Sequence, residues 1–357
     1  MQYASHAVTS SIFAVALLST VPALRAAAQA DLPPGVLVKE FVYDKGPVPS
    51  CHASTICQLP DGRLAVAFFG GTDEGEDDVG IWFSTNDNQG GPWSPPIEVA
   101  TGVTPEQNDR RFPCWNPVLF QQPRGPLMLF YKVGPKPDAW WGMLKTSADG
   151  GRTWSQPRRL GDGIIGPVKN KPVLLPDGVL LCGSSTEHAG WTVHMERTAD
   201  FGKTWEQSPT LNDGRKLRAI QPTILVESKE NPPRLRILCR TESGRIGQST
   251  SADGGKTWEP LALTDLPNPD SGIDAVTLRD GTHLLIYNPT RLGRSPLSVA
   301  VSVDSKTWKR GPDLETQLGE YSYPAVIQAA DGKVHVTYTW KRQRVRHVVI
   351  DPTKLPK

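Results

Sequence analysis

Ser251-Ala252-Asp253-Gly254-Gly255-Lys256-Thr257-Trp258 is the stretch on which the reading of this chain turns. The same phrase stands at Ser147-Ala148-Asp149-Gly150-Gly151-Arg152-Thr153-Trp154 and at Thr198-Ala199-Asp200-Phe201-Gly202-Lys203-Thr204-Trp205. A shortened copy runs Ser302-Val303-Asp304-Ser305-Lys306-Thr307-Trp308, and a degraded one passes from Ser84 through Asp87, Gly90 and Gly91 to Trp93. The closing tryptophans fall at 93, 154, 205, 258 and 308, so successive copies lie 61, 51, 53 and 50 residues apart. A fixed period of this size marks a repeat architecture, in which one supersecondary unit is used again and again.

Inside the phrase, the Asp is suited to bonding backbone amides of a turn, the Gly to a positive φ, and the Trp to packing between strands. No copy carries the carboxylate density of a calcium loop. The phrase is therefore read as structural, and no metal or other cofactor is expected.

Around each copy the pattern is strand, turn, strand, then a third strand that delivers the phrase. In the first unit, residues 53–59 lead through Asp61-Gly62 to 64–69 and then to 79–84. The strand–turn–strand pair returns at 172–175 with Asp177-Gly178, at 275–278 with Asp280-Gly281 and at 325–328 with Asp331-Gly332. Asp-Gly between alternating apolar runs is a hairpin signal. Residues 117–120 with 127–131, and 222–226 with 235–239, fill the same slots around longer turns. Six units result, starting near residues 51, 111, 168, 219, 272 and 321. The last lacks the phrase and is expected to take its fourth strand from residues 36–42. Short sheets at this period predict an all-β fold, a six-bladed β-propeller, which closes radially and so leaves no long exposed sheet edge.

Composition agrees. The 357 residues include 33 Gly, 33 Pro and 11 Trp, a balance that favours short strands and turns. The formal net charge is +2, with no Lys/Arg run, which argues against a nucleic-acid face. Residues 11–24 are apolar but short for a bilayer span, and Ala28-Gln29-Ala30 fits a cleavage site, although no Lys or Arg precedes the apolar stretch. Residues 1–30 are thus expected to be a signal peptide and 31–357 a single propeller domain, secreted or periplasmic, off the membrane after cleavage, and monomeric. The five cysteines form no CxxC or zinc pattern and are expected to be mostly buried thiols, with at most one or two bridges.

In a propeller the innermost strands begin at the rim of the axial channel, so their first residues converge. Those heads include His52, Arg111 and Asn116, Lys169 and Lys171, Gln221, Asp270, and Glu320 with Tyr321 and Tyr323. Several are basic, which suits an anionic ligand.

Repeated Asp phrases on such a propeller resemble the sialidase (neuraminidase) superfamily, in its bacterial-type members with BNR or Asp-box repeats. The resemblance covers about residues 45–350 and implies three arginines on a substrate carboxylate, a tyrosine nucleophile activated by a glutamate, and an acidic acid/base. Tyr321-Ser322-Tyr323-Pro324-Ala325-Val326 is similar to the family's Tyr-Ser-x-Leu stretch and implies Tyr321 as nucleophile. Tyr323 would share its face as a stacking wall. Arg294, after Asn288-Pro289, and Arg240, at the end of 235–239, match two of the arginines. The first-arginine slot, nine residues before Asp61, holds His52, and the glutamate slot holds Gln221. Glutamine cannot take a proton from a phenol. The acid/base loop offers Asp73 and Glu76, of which Glu76 is nearer the family spacing. Arg111, Asn116 and Lys171 are expected to bind substrate by strand-head position alone.

Three functions fit these residues. The resemblance implies an exo-glycosidase that removes a terminal acidic sugar, such as sialic acid, from a glycan. The same parts suit a polysaccharide lyase, with arginines neutralising a uronate while His52 and Tyr321 move protons in a β-elimination. The third is a glycan-binding propeller without catalysis. The expected partner in each case is a glycan or polysaccharide with an acidic sugar.

Overall fold

Apolar runs broken by Asp-Gly turns fold, in the computed structural model, into four-stranded antiparallel sheets. The structure describes Met1 and residues 32–103, 109–228 and 230–356. Apart from Met1, the leader expected over residues 1–30 lies outside the described residues.

Strand β1 (Val36–Phe41) is separated in sequence from the sheet it joins. The first blade is β2 (Ser50–Gln58), β3 (Leu64–Gly71), β4 (Gly80–Asn86) and β5 (Ile97–Ala100). The second is β6 (Cys114–Gln121), β7 (Leu127–Val133), β8 (Trp141–Ser147) and β9 (Arg158–Arg159). The third is β10 (Val173–Leu174), β11 (Leu180–Thr186), β12 (Thr192–Thr198) and β13 (Glu206–Gln207). The fourth is β14 (Ala219–Val226), β15 (Leu235–Thr241), β16 (Arg245–Ser251) and β17 (Ala262–Pro267). The fifth is β18 (Asp274–Thr277), β19 (His283–Tyr287), β20 (Leu297–Ser302) and β21 (Lys309–Glu315). In the sixth, β22 (Tyr321–Gln328), β23 (Val334–Trp340) and β24 (Arg344–Ile350) are completed by β1 as outer strand. The six-bladed propeller read from the repeat is therefore the fold, closed by pairing across the chain's two ends.

Apolar faces of neighbouring blades pack on one another. Phe69, Ala67 and Phe83 of the first blade share a core with Leu119, Leu129 and Tyr131 of the second. Val345 and Ala325 of the last blade meet Ile56, Val66 and Phe68 of the first, which completes the ring. All five cysteines are buried and free, and no bridge forms.

The Asp phrase makes the turn between third and fourth strands. Asp253 Oδ1 accepts from the amides of Lys256 (3.0 Å) and Thr257 (2.9 Å), while Oδ2 accepts from Thr257 Oγ1 (2.6 Å). Asp149 and Asp200 repeat the arrangement, and Asp304 keeps its amide bonds to Lys306 and Thr307. The phrase tryptophans reach the neighbouring blade: Trp154 lies edge-on to Phe83 at 5.5 Å and Trp205 to Phe130 at 6.3 Å. Because strands alternate in direction, these turns lie at the opposite end of each blade from the innermost strand heads.

At the axis, Asp274 is buried and joins four blades. It accepts from Thr223 Oγ1 (2.7 Å), Ala275 N (2.9 Å), Val326 N (2.9 Å) and Lys171 Nζ (3.0 Å). Lys169, also buried, donates to Ile273 O at 2.9 Å, to Asn170 Oδ1 at 2.9 Å and to Pro324 O. Burial lowers its ammonium to about 7. These contacts form a floor across the channel.

Candidate active site

Four innermost strands carry the same irregularity near their heads. Their register slips between His52 and Thr55, Trp115 and Val118, Ile220 and Thr223, and Ser322 and Ala325. At each slip a non-glycine residue takes a left-handed φ: Ala53 at 52°, Asn116 at 37°, Gln221 at 58° and Tyr323 at 51°. Such residues each cost about 1 kcal/mol or more, and bulges of this kind re-aim side chains beside sites. Here they send Gln221 and Tyr323, from the fourth and sixth blades, into contact.

The Tyr323 hydroxyl accepts from Arg240 Nη1 at 2.7 Å and from Gln221 Nε2 at 3.1 Å. The His52 ring lies 4.1 Å from the Tyr323 ring, centroid to centroid, tilted by 51°. Arg294 and Lys169 also approach this ring, at 5.9 and 5.7 Å from its centroid. His52 is held well below the usual imidazole range, first by burial and then by Arg342, Arg294, Arg240 and Lys169. It is therefore neutral near pH 7. His52 Nδ1 and Gln221 Oε1 are buried and without partners among the described residues. A primary amide has a donor at one end and an acceptor at the other, so whichever end of Gln221 meets Tyr323, the other stays free for a ligand.

Carboxylates hold the cations in place. Arg240 Nε donates to Asp270 Oδ1 at 2.6 Å, and its guanidinium lies over Trp191, 5.1 Å from the ring centroid. Glu320 Oε1 accepts from Arg294 Nη1 at 2.7 Å and from Arg342 Nε at 2.8 Å. Arg342 also pairs with Glu74. Glu187, half-buried beside Arg240 and hydrogen-bonded to Trp191, has its carboxyl raised, chiefly by desolvation. The site so assembled is a cationic cluster around one phenol, with each arginine braced by an acid.

His52, Gln221, Arg240, Arg294 and Tyr323 come together at the axis. Asn116 is buried at the equivalent bulge of β6. Four of the expected site residues lie outside this cluster. Tyr321 does not meet Arg240 or Gln221. It is buried toward Trp340 (6.5 Å between centroids), and its hydroxyl lies 3.1 Å from the position a Cβ on Gly319 would take. The bulge at Tyr323-Pro324 breaks the simple alternation that would have placed the two tyrosines on one face. Arg111 precedes its strand, which starts at Cys114 rather than near 111. It binds Asp78 O (2.6 Å) and Glu98 (3.2 Å) at the edge of the first blade. Lys171 is engaged by Asp274 in the channel floor, not by the Tyr323 cluster. Glu76 is exposed in its turn, and the loop's link to the arginines is Glu74, through Arg342. Asp73 in the same loop accepts from Ser50 Oγ at 3.4 Å, at the head of β2.

Arg342, in the turn after β23, was beyond a reading confined to innermost strands. For Tyr323 a signal did exist: Asn116-Pro117, Gln221-Pro222 and Tyr323-Pro324 repeat one residue-Pro pair, and aligning on the proline selects Tyr323 over Tyr321.

The model of the BNR repeat-like domain matches residues 62–336. Among solved structures, a protein of unknown function from Dyadobacter fermentans superposes with a TM-score of 0.72 at 17% identity, over 89% of this chain and 99% of the other. The NanB sialidase from Streptococcus pneumoniae gives 0.71 at 14% identity, over 90% of this chain and 71% of its own. The Trypanosoma rangeli sialidase in complex with the inhibitor DANA gives 0.68 at 16% identity, over 89% of this chain and 60% of its own. At these identities the likeness is one of fold. No curated protein sequence matches the chain.

Proposed function

The chain belongs to the BNR repeat-like domain family, and from that premise we propose that it is a carbohydrate-active enzyme of sialidase type, releasing a terminal carboxylated sugar from a glycan. The observation that carries the proposal is Tyr323, its hydroxyl bonded by Arg240 and Gln221 and its ring flanked by His52 and Arg294. Guanidinium groups present five donors, so Arg240 and Arg294 can bind a substrate carboxylate while keeping their protein partners, with Arg342 reinforcing the field. A neutral phenol approaches a carbon beside that carboxylate without charge repulsion. Tyr323 Oη bonds the anomeric carbon as the bond to the leaving oxygen breaks, and the phenolic proton passes to His52, whose imidazole is neutral. An acid on the rim protonates the leaving oxygen, a role that the contact of Asp73 with Ser50 at the head of β2 supports. Water then attacks the same carbon, with the proton movements reversed. The apolar stretch at 11–24, within the signal peptide expected over residues 1–30, supports a setting outside the cytoplasm.

Gln221 and the neutral His52 favour one second reading, β-elimination from a uronic acid. In it an amide and arginines neutralise the carboxylate, His52 removes the α-proton and Tyr323 protonates the leaving oxygen. Incubation with sialosides and with uronate oligosaccharides separates the two. Hydrolysis yields new reducing sugar without ultraviolet absorbance, elimination yields an absorbing unsaturated sugar, and neither product from any acidic glycan would refute both.

A further inference from the structure

A second concavity opens on the same face as the axial pocket, between the second and third blades. Its lining includes Trp140 just before β8 and Trp141 at its start, Arg159 of β9, Ile164 in the loop that follows, Thr186 at the end of β11 and His188 after it. The start of a third strand and the ends of second and fourth strands all lie at the innermost strand heads, so the groove shares the pocket's face. Between the two stands Glu187, whose sequence neighbours line the groove while its carboxylate lies beside Arg240.

The groove is built rather than merely open. Its far wall is pinned from beneath, because the amides of Ile165 (3.0 Å) and Gly166 (2.6 Å) donate to buried Glu196, which also meets His194 at 3.0 Å. A wall fixed in advance adds little ordering cost on binding. Trp141 is half-buried, braced edge-on by Phe112 at 5.6 Å, with the Arg159 guanidinium 5.2 Å from its ring centroid. Trp140 is buried, yet its Nε1 has no hydrogen-bond partner among the described residues. An orphaned indole donor, an aromatic ring and a cation, with no carboxylate in the lining, match a ring-shaped ligand bearing a negative charge.

We propose that this groove is the subsite for the sugar next to the terminal one, and that it prefers an anionic sugar there. The inference rests on the axial pocket holding a terminal acidic sugar. It makes the natural substrate a glycan with acidic units in succession, in which Arg159 and Trp140 Nε1 meet the second anionic group and the Trp141 ring supports the sugar.

The test is calorimetric titration of the full chain and of Arg159→Gln and Trp141→Phe. The probes are free sialic acid, sialyllactose, α2,8-linked di-sialic acid, galacturonic acid and tri-galacturonic acid. Tighter binding of one acidic oligomer than of its monosaccharide is expected, with about tenfold loss of that oligomer in Arg159→Gln, the scale of one charge-assisted contact. The monosaccharide should be unaffected, and sialyllactose, whose extension is neutral, should respond to Trp141→Phe but not to Arg159→Gln. If a monosaccharide binds but no oligomer binds more tightly, or if Arg159→Gln weakens both alike, the groove proposal is overturned and the pocket reading stands. If an oligomer binds through Arg159 while Tyr323→Phe and Arg294→Gln leave it unchanged, the groove stands and the pocket reading falls. If no probe binds, both fall.

Discussion

Taking one oxygen from each of two tyrosines separates their roles. Tyr323→Phe removes the acceptor shared by Arg240 and Gln221 and the group placed at the reacting carbon. Activity on the best acidic glycan should fall at least about 100-fold, close to 3 kcal/mol of transition-state stabilisation. Tyr321→Phe, in the wall beside Trp340 and Gly319, should leave kcat/KM within about twofold. Equal losses in the two variants would return the chemistry to Tyr321. Gln221→Glu is the sharper probe of mechanism. It places a carboxylate against the phenol as a second base beside His52, so a hydrolase should gain activity above the pKa of the new acid. A β-elimination should lose it, because the new charge repels the substrate carboxylate that the amide and arginines are meant to neutralise. Strand-head position exposed His52 and Gln221, since strand heads in a radial repeat must converge, and the resemblance to sialidases added Arg240 and Arg294. What the chain's letters did not expose was direction. A one-residue bulge turns a side chain through the sheet, and the alternation rule used for Tyr321 and Tyr323 has no way to register it. Lys171 was misread for another reason: its partner, Asp274, is brought to it by a different blade.

Turns and closing contacts set how the protein answers to acid. Asp149, Asp200, Asp253 and Asp304 have carboxyls held below the usual range by the hydroxyl and amide bonds of their turns. A depressed carboxyl stabilises the fold above its unfolded pKa, and that contribution is lost as pH falls below about 4. Histidines act in a higher window. His335, stacked on His347 at 5.3 Å and bonded to it at 3.1 Å, is lowered to about 4 by burial and by His347, against Asp331 and Glu40 nearby. Its neutral form is the folded one, so its contribution is complete above pH 6.5 and drains away as pH falls toward 4, by up to about 3 kcal/mol. His52 is shifted in the same direction. A melting series should therefore decline in two stages, one from pH 6.5 to 4 and one below 4. His335→Gln should shrink the first stage and spare the second, and an unchanged first stage would remove His335 from the explanation. At the turn itself, Gly151 has φ 93°, and a Cβ there would sit 2.3 Å from the Phe83 ring. Gly151→Ala should cost at least about 2 kcal/mol, read as a lower urea midpoint at unchanged slope.

At the scale of the whole ring, the period announced six blades, but radial closure depends on a single noncontiguous pairing. Strand β1 covers β24 with Val38 opposite Val349 and Phe41 opposite Arg346. The Phe41 ring lies edge-on to Trp340 at 5.3 Å, under the guanidinium groups of Arg344 (3.6 Å) and Arg346 (3.5 Å). Glu40, from the same strand, accepts from Trp93 Nε1 of the first blade at 3.0 Å and meets His347 at 2.9 Å. One short strand thus satisfies the last sheet's edge and ties the last blade to the first. Its alternation made it legible as a strand, and the missing fourth strand of the last blade made its place legible too. The price of removing it falls on the ring rather than on the pocket, whose groups come from β2, β14, β15, β22 and the loops beside them. A chain shortened to begin at Val42 should melt at least about 5 °C lower and associate through the bared edge of β24. Adding a synthetic peptide of residues 33–41 should restore both the melting temperature and the monomer–oligomer balance, measured by calorimetry and light scattering. A shortened chain that melts with the full one and stays disperse would show that the blades hold their ring without the strand, and that the pairing is incidental to closure.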